Sequence, residues 1–104
     1  MVGILNKMST ITVFTGDTVS ATAEFRDIDN ALIDADSNIV NFNVYDADTH
    51  KLLETHVATR DSIGLYHYDY TIPSSEKSYY FEFEGLFGAK PQLQRIKVKA
   101  SFKG

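Results

Sequence analysis

Apolar and polar residues alternate with a period of two from about residue 9 to the end of the chain, and no stretch carries the 3.6-residue stripe of an amphipathic helix. Over residues 18–25, Val19, Ala21, Ala23 and Phe25 fall on one face and Ser20, Thr22 and Glu24 on the other, the pattern of a strand with one buried side. The same reading turns Val40, Phe42 and Val44 inward over 38–45, and puts Tyr66, Tyr68 and Tyr70 on one face of 64–71 opposite Leu65, His67 and Asp69. Over 78–84, Tyr79, Phe81 and Phe83 point in while Tyr80, Glu82 and Glu84 point out. The last strand turns Ile96, Val98, Ala100 and Phe102 inward and Lys97, Lys99 and Lys103 outward. Strands at 9–14 and 51–59 complete the set. Turn chemistry separates them: Thr15-Gly16-Asp17, the acidic loop 26–37, the turn 46–50, the connection 60–63, Ile72-Pro73-Ser74-Ser75, and the turn 85–91.

About seven such strands without a helical segment predict an all-β fold, a two-sheet antiparallel immunoglobulin-like sandwich, with a small barrel as the alternative. Residues 9–104 form the domain, and residues 1–8 are either an arm or an extra edge strand. At 104 residues the chain has room for one core, and its seven Phe and six Tyr must supply that core, because it has no Cys and no Trp. The lack of cysteine removes disulfides, thiolate metal sites and thiol nucleophiles from consideration. A net charge of −4 provides no basic stripe for phosphate, so neither nucleic acid nor an acidic membrane surface is an expected partner. Residues 1–7 are too short and wrongly ordered for a signal peptide, and no apolar run reaches the roughly 20 residues of a membrane span. The expectation is a protein made in the cytoplasm.

Three constellations could carry chemistry. Asp27, Asp29, Asp34 and Asp36 lie in one loop with Asn30, a set of hard oxygen donors of the kind calcium takes, although their spacing departs from an EF-hand. The alternative is turn chemistry, since Asp and Asn side chains bond nearby backbone groups. If 51–59 and 64–71 close as a symmetric hairpin, His56 falls opposite His67 and Glu54 opposite Asp69, a zinc-competent set. A shift of two residues pairs His56 with Asp69 instead, and placing 51–59 in the other sheet removes the pairing. Glu82 and Glu84 share one strand face, as the two acids of a glycosidase would, but aligning the last two strands sets Glu84 near Arg95 and Glu82 near Lys97 as cross-strand ion pairs. Ser74-Ser75 sits in no nucleophile elbow. No catalytic residue and no cofactor is assigned.

Surface for partners remains. Leu86 and Phe87 in one turn and Ile28, Leu32 and Ile33 in the acidic loop lie at one end of the sandwich, and Val2, Ile4 and Leu5 lie ahead of the first strand. Exposed apolar loop tips are docking patches, unless Leu86 or Leu32 folds back to cap the core.

The run Gly64-Leu65-Tyr66-His67-Tyr68-Asp69-Tyr70-Thr71-Ile72-Pro73, followed by Tyr79-Tyr80-Phe81-Glu82-Phe83-Glu84-Gly85 and preceded by Gly16-Asp17-Thr18-Val19, resembles a small β-sandwich module over residues 10–102. Immunoglobulin-like and macroglobulin-like domains share this pattern, and so do short accessory proteins encoded among the head and tail genes of tailed bacteriophages. Its motifs are core and turn residues, so they specify fold better than function. A free-standing domain without cysteine is most similar to the phage group. That resemblance implies a non-enzymatic virion component, a head decoration or head-to-tail junction protein, located in the virion and binding capsid or tail subunits, with a homo-oligomer as a further form open to it. Two other readings stay open: a carbohydrate- or host-surface-binding module using aromatics such as Tyr45 or Tyr80, with calcium in the acidic loop, and a hydrolase.

Overall fold

The computed structural model describes residues 2–3 and 10–102. Ten strands follow in chain order: β1 (Val2–Gly3), β2 (Thr10–Phe14), β3 (Thr18–Glu24), β4 (Arg26–Asp27), β5 (Val40–Asp46), β6 (Leu52–Val57), β7 (Thr59–Ser62), β8 (Leu65–Thr71), β9 (Ser78–Phe87) and β10 (Lys90–Ser101). The only helical element among the described residues is a three-residue 3-10 turn, Asp36–Asn38. A five-stranded sheet in the order β2-β10-β9-β5-β6 packs on a three-stranded sheet, β3-β8-β7, and β1 pairs with β4. The fold is the β-sandwich that the alternation predicts.

The inward faces behave as the pattern requires. Phe25, Val40, Phe42, Val44, Tyr66, Ile72, Tyr79, Phe81 and Val98 are almost wholly buried. Phe42 sits at the centre, with ring centroids 5.0 Å from Tyr68 of the facing sheet and 5.3 and 5.1 Å from Phe81 and Phe83 of its neighbour strand. Tyr70 meets Phe81 edge-on at 5.4 Å. Each such ring removes roughly 150–250 Å² from water, so stacked aromatics replace the missing disulfide and tryptophan.

Four expectations are corrected. The segment 51–59 is not one strand: at buried Ala58 the chain leaves β6 in the five-stranded sheet and enters β7 in the other, while the Ala58 N–H still bonds the Val40 carbonyl at 2.8 Å. This crossing adds a strand, and β1 and β4 add two more. The sandwich is not wholly antiparallel, because β2 runs parallel to β10, from Thr10↔Lys97 to Phe14↔Ser101. The turn written as 85–91 is only two residues: β9 and β10 pair from Phe87↔Lys90 onward, and Gly88 (φ 59°) and Ala89 (φ 66°) both take the left-handed conformation that a tight hairpin turn needs. Phe102 lies beyond the last strand and is exposed rather than inward.

Candidate functional site

Alternation along β5, β9 and β10 sends a second set of side chains to the outer face of the five-stranded sheet. Register places Asn43 and Arg95 on either side of Glu82, and Tyr45 beside Tyr80. Glu82 is 3% exposed although it lies on this outer face. Its Oε2 accepts from Arg95 Nη2 at 2.7 Å and Nε at 3.1 Å, and its Oε1 from Asn43 Nδ2 at 3.2 Å and the Tyr45 hydroxyl at 3.4 Å. The Arg95 guanidinium lies 5.0 Å from the centroids of both Tyr45 and Tyr80, and His50 stacks against Tyr80 at 5.8 Å. Burial, and then the Glu82 carboxylate, push the Tyr45 hydroxyl above its ordinary pKa. The carboxylate thus holds an arginine over two neighbouring rings.

This centre departs from the sequence expectation, which set Glu82 near Lys97 and Glu84 near Arg95. The hairpin pairs Arg95 with Glu82, Lys97 with Tyr80 and Leu93 with Glu84. Reading Gly88-Ala89 as a two-residue turn would have found this register, since it fixes Phe87 opposite Lys90.

Toward the β9–β10 turn the same face becomes apolar. Leu86 lies opposite Pro91, Leu93 opposite Glu84 and Val57 opposite Asn41. A shallow depression of about 410 Å³ joins Ile39 to Leu86, lined also by Asp36, Ser37, Asn41 and Glu84. Ile39 (52%), Leu86 (49%), Val57 (64%) and Leu93 (40%) are all substantially exposed. Of the residues expected to dock a partner, Leu86 belongs to this patch. Phe87 does not: it is buried, 4.8 Å from Phe25 between ring centroids, and caps the core. Ile33 and Leu32 are half-buried, Ile33 packing on the core and donating its N–H to the Phe25 carbonyl, while Ile28 stands 71% exposed in its loop. Val2 is described only as backbone, paired with Asp27, and Ile4 and Leu5 lie outside the described residues.

The acidic loop is organised by its own carboxylates. Asp27 Oδ1 accepts from the Asp29 and Ala31 N–H groups at 2.9 and 3.0 Å. Asp36 accepts from Gly88 and Ala89 N–H at 3.1 and 2.8 Å and so ties the loop to the hairpin turn. Asp34 accepts from Arg60 Nε and Nη2, both at 3.0 Å, from Gly64 N–H at 2.9 Å and from the Tyr66 hydroxyl at 3.3 Å. The Arg60 guanidinium, then the Gly64 N–H, hold the Asp34 carboxyl below its ordinary pKa. Asp27, Asp34 and Asp36 line one groove of about 460 Å³, yet their oxygens turn to separate donors. Among the described residues no group of three His, Asp or Glu side chains is disposed to hold a metal.

The His56–His67 pairing is overturned by the sheet crossing. His56, on β6, lies opposite Phe42; His67, on β8 of the other sheet, lies opposite Thr22 and Thr59. Glu54 and His56 also face inward rather than out, toward the open side of the sandwich. His56 stacks on Tyr68 at 4.6 Å and its Nε2 lies 2.9 Å from Glu54 Oε1, while Glu54 accepts from the Tyr70 hydroxyl. That hydroxyl, then His56, lower the Glu54 pKa, and burial first raises that of Tyr70. His67 Nδ1 instead meets Asp61 at 2.7 Å.

No family model matches this chain, and neither a curated protein nor a solved structure matches it.

Proposed function

We propose that this domain is a non-enzymatic accessory subunit that docks on another protein through the outer face of its five-stranded sheet. The observation that carries the reading is the exposed apolar row Ile39, Leu86 and Pro91 at the hairpin end of this face, with exposed Val57 and Leu93 in the next row on either side of Asn41 and Glu84. Exposed apolar residues gathered on one face mark a protein interface. The Glu82–Arg95–Tyr45 centre lies beside these residues on the same face and links three of the sheet's strands through side-chain hydrogen bonds. Partner class comes from the sequence pattern alone: the resemblance to phage head and tail accessory domains points to capsid or tail subunits.

The carbohydrate reading has less support, since Arg95 lies over the rings of Tyr45 and Tyr80 that would stack on a sugar. Purified particles from the source culture provide the test. Mass spectrometry is expected to find this chain at a fixed ratio to the major capsid protein. Leu86→Asp, exposed and therefore neutral for folding, is expected to lower that ratio at least tenfold. Absence of the chain from particles would overturn the virion reading, and full incorporation of Leu86→Asp would overturn the docking face.

A further inference from the structure

β6 ends the five-stranded sheet, and among the described residues no strand pairs with its other edge. The direction of its free backbone groups follows from the ladder. Because Ala58 N–H bonds the Val40 carbonyl, the pair 40↔58 exchanges hydrogen bonds, and so, at a spacing of two, do Phe42↔His56 and Val44↔Glu54. Asn43↔Thr55 and Asn41↔Val57 are then the non-bonded pairs, in which Thr55 and Val57 turn their N–H and C=O away from β5. Edge strands are blunted by charged or inward-pointing ionisable side chains, a proline, a bulge or a very short length; β6 carries the inward-facing Glu54 and His56 and the bulge beside Leu53, which a second copy must match, but no proline or lysine. This edge is six residues long and shows Leu53, Thr55 and Val57 on its outer face.

Its sequence is complementary to itself. An antiparallel pairing of two copies about Thr55 sets Thr55 opposite Thr55, Val57 opposite Leu53, and Glu54 opposite His56. Apolar meets apolar on the outer face, and carboxylate meets imidazole on the inner one. The backbone groups of Thr55 that face outward are the ones such a pairing requires. Moving the axis to Glu54 would place two carboxylates side by side; moving it to His56 would oppose two imidazoles and leave Glu54 against Ala58. The register bulge at Leu53, where Tyr45 pairs with Leu52 rather than Leu53, confines the ladder to this short stretch.

We propose that two copies of this chain associate through β6, antiparallel about a two-fold axis at Thr55, joining their five-stranded sheets edge to edge. The contact is small, so the dimer is weak and concentration-dependent.

Sedimentation equilibrium of the full chain up to about 1 mM is the experiment. The expected result is a rise in mass from 11.7 kDa toward twice that value. Thr55→Pro removes an N–H that points away from β5, which an edge strand tolerates, and is expected to stay monomeric over the same range with an unchanged circular dichroism spectrum. Should Thr55→Pro not fold, Thr55→Lys sets two ammonium groups together on the axis and is expected to weaken association at least tenfold. A chain that is monomeric throughout overturns the proposal, as does a dimer that a folded Thr55→Pro or Thr55→Lys leaves intact. Leu86→Asp is expected to leave the dimer unchanged, and loss of the dimer in that variant would move the contact to the outer face and refute the edge.

Discussion

Gly64 stands where the acidic loop meets the β7–β8 turn, and its replacement by alanine measures how tightly that junction is built. Its φ is +73°, and a Cβ there would lie 2.8 Å from the Phe25 carbonyl oxygen and 3.0 Å from that of Ile33. Those neighbours are backbone, so the side chain cannot be accommodated by a rotamer change. The left-handed conformation alone costs an L-residue about 1–2 kcal/mol. Moving the Phe25–Ile33 backbone aside also strains Phe25 N–H to Gly64 carbonyl, 2.9 Å, and Gly64 N–H to Asp34 Oδ1, 2.9 Å. Each of those contributes about 1 kcal/mol. Gly64→Ala is therefore expected to lose about 3–4 kcal/mol, a large share of the roughly 5–15 kcal/mol that holds a domain of this size. Gly16 separates the two terms: its φ is +84° but nothing lies within 4 Å of an added Cβ. Gly16→Ala is expected to cost only the conformational part, about 1–2 kcal/mol. Urea denaturation with a shared m value reads both. Equal losses in the two variants would refute the close approach of the loop to Gly64.

Two further outcomes are expected. Glu82→Ala leaves the Arg95 guanidinium without its carboxylate; because the Arg95 side chain is 34% exposed and can turn to water, the loss should be about 2–4 kcal/mol in urea unfolding, while Glu82→Leu with Arg95→Leu recovers most of it. Equal destabilisation by the single and the double variant would show that the pair is not coupled. Stability should also fall in acid. The folded pKa values of Asp34, Asp46 and Glu54 are lowered from ordinary values of 3.8, 3.8 and 4.5, by Arg60, by the Thr49 N–H and by the Tyr70 hydroxyl in turn. A depressed carboxyl favours the folded state fully above its unfolded pKa and loses that contribution as pH falls through the folded value, so the urea midpoint should hold from pH 8 to about 5 and decline below it. A midpoint unchanged down to pH 3 would contradict these contacts.

Much of the fold could be read from single residues. The alternation of Val19, Ala21 and Ala23, of Val40, Phe42 and Val44, and of Tyr79, Phe81 and Phe83 named the buried face of three strands, because a strand has no other way to separate its sides. What alternation does not carry is which sheet a strand joins. Residues 51–59 contain no glycine, proline or turn residue that would mark Ala58 as the crossing, and the histidine pairing built on an unbroken strand failed with it. Register was equally hidden: the outer-face pair Glu82–Arg95 depends on the length of a turn, and GLFGAKP offers two glycines for it. The acidic loop was half visible. Its Asp residues do make turns, as Asp27 does, but the bond of Asp34 to Arg60, Gly64 and Tyr66 joins residues some 26 to 32 positions apart, which a local reading does not reach. The sequence offers Leu86 and Phe87 alike as loop-tip surface, with Leu86 capping the core as the alternative; the two are adjacent, and only the strand's continuation to residue 87 decides that Phe87 is the one that points inward.

The parallel pairing of β2 with β10 gives the domain a direction of mechanical strength. Tension entering the chain ahead of Thr10 and leaving it after Ser101 pulls these two neighbours in opposite senses along their shared axis. The ladder from Thr10↔Lys97 to Phe14↔Ser101 is then loaded in shear, so that its bonds bear the force together instead of opening one after another like a zipper. Ile11 and Val13 stand beside Val98 and Ala100 on the inward face and must slide with them. A domain strung between two anchors along that line would yield only when the whole seam slips at once.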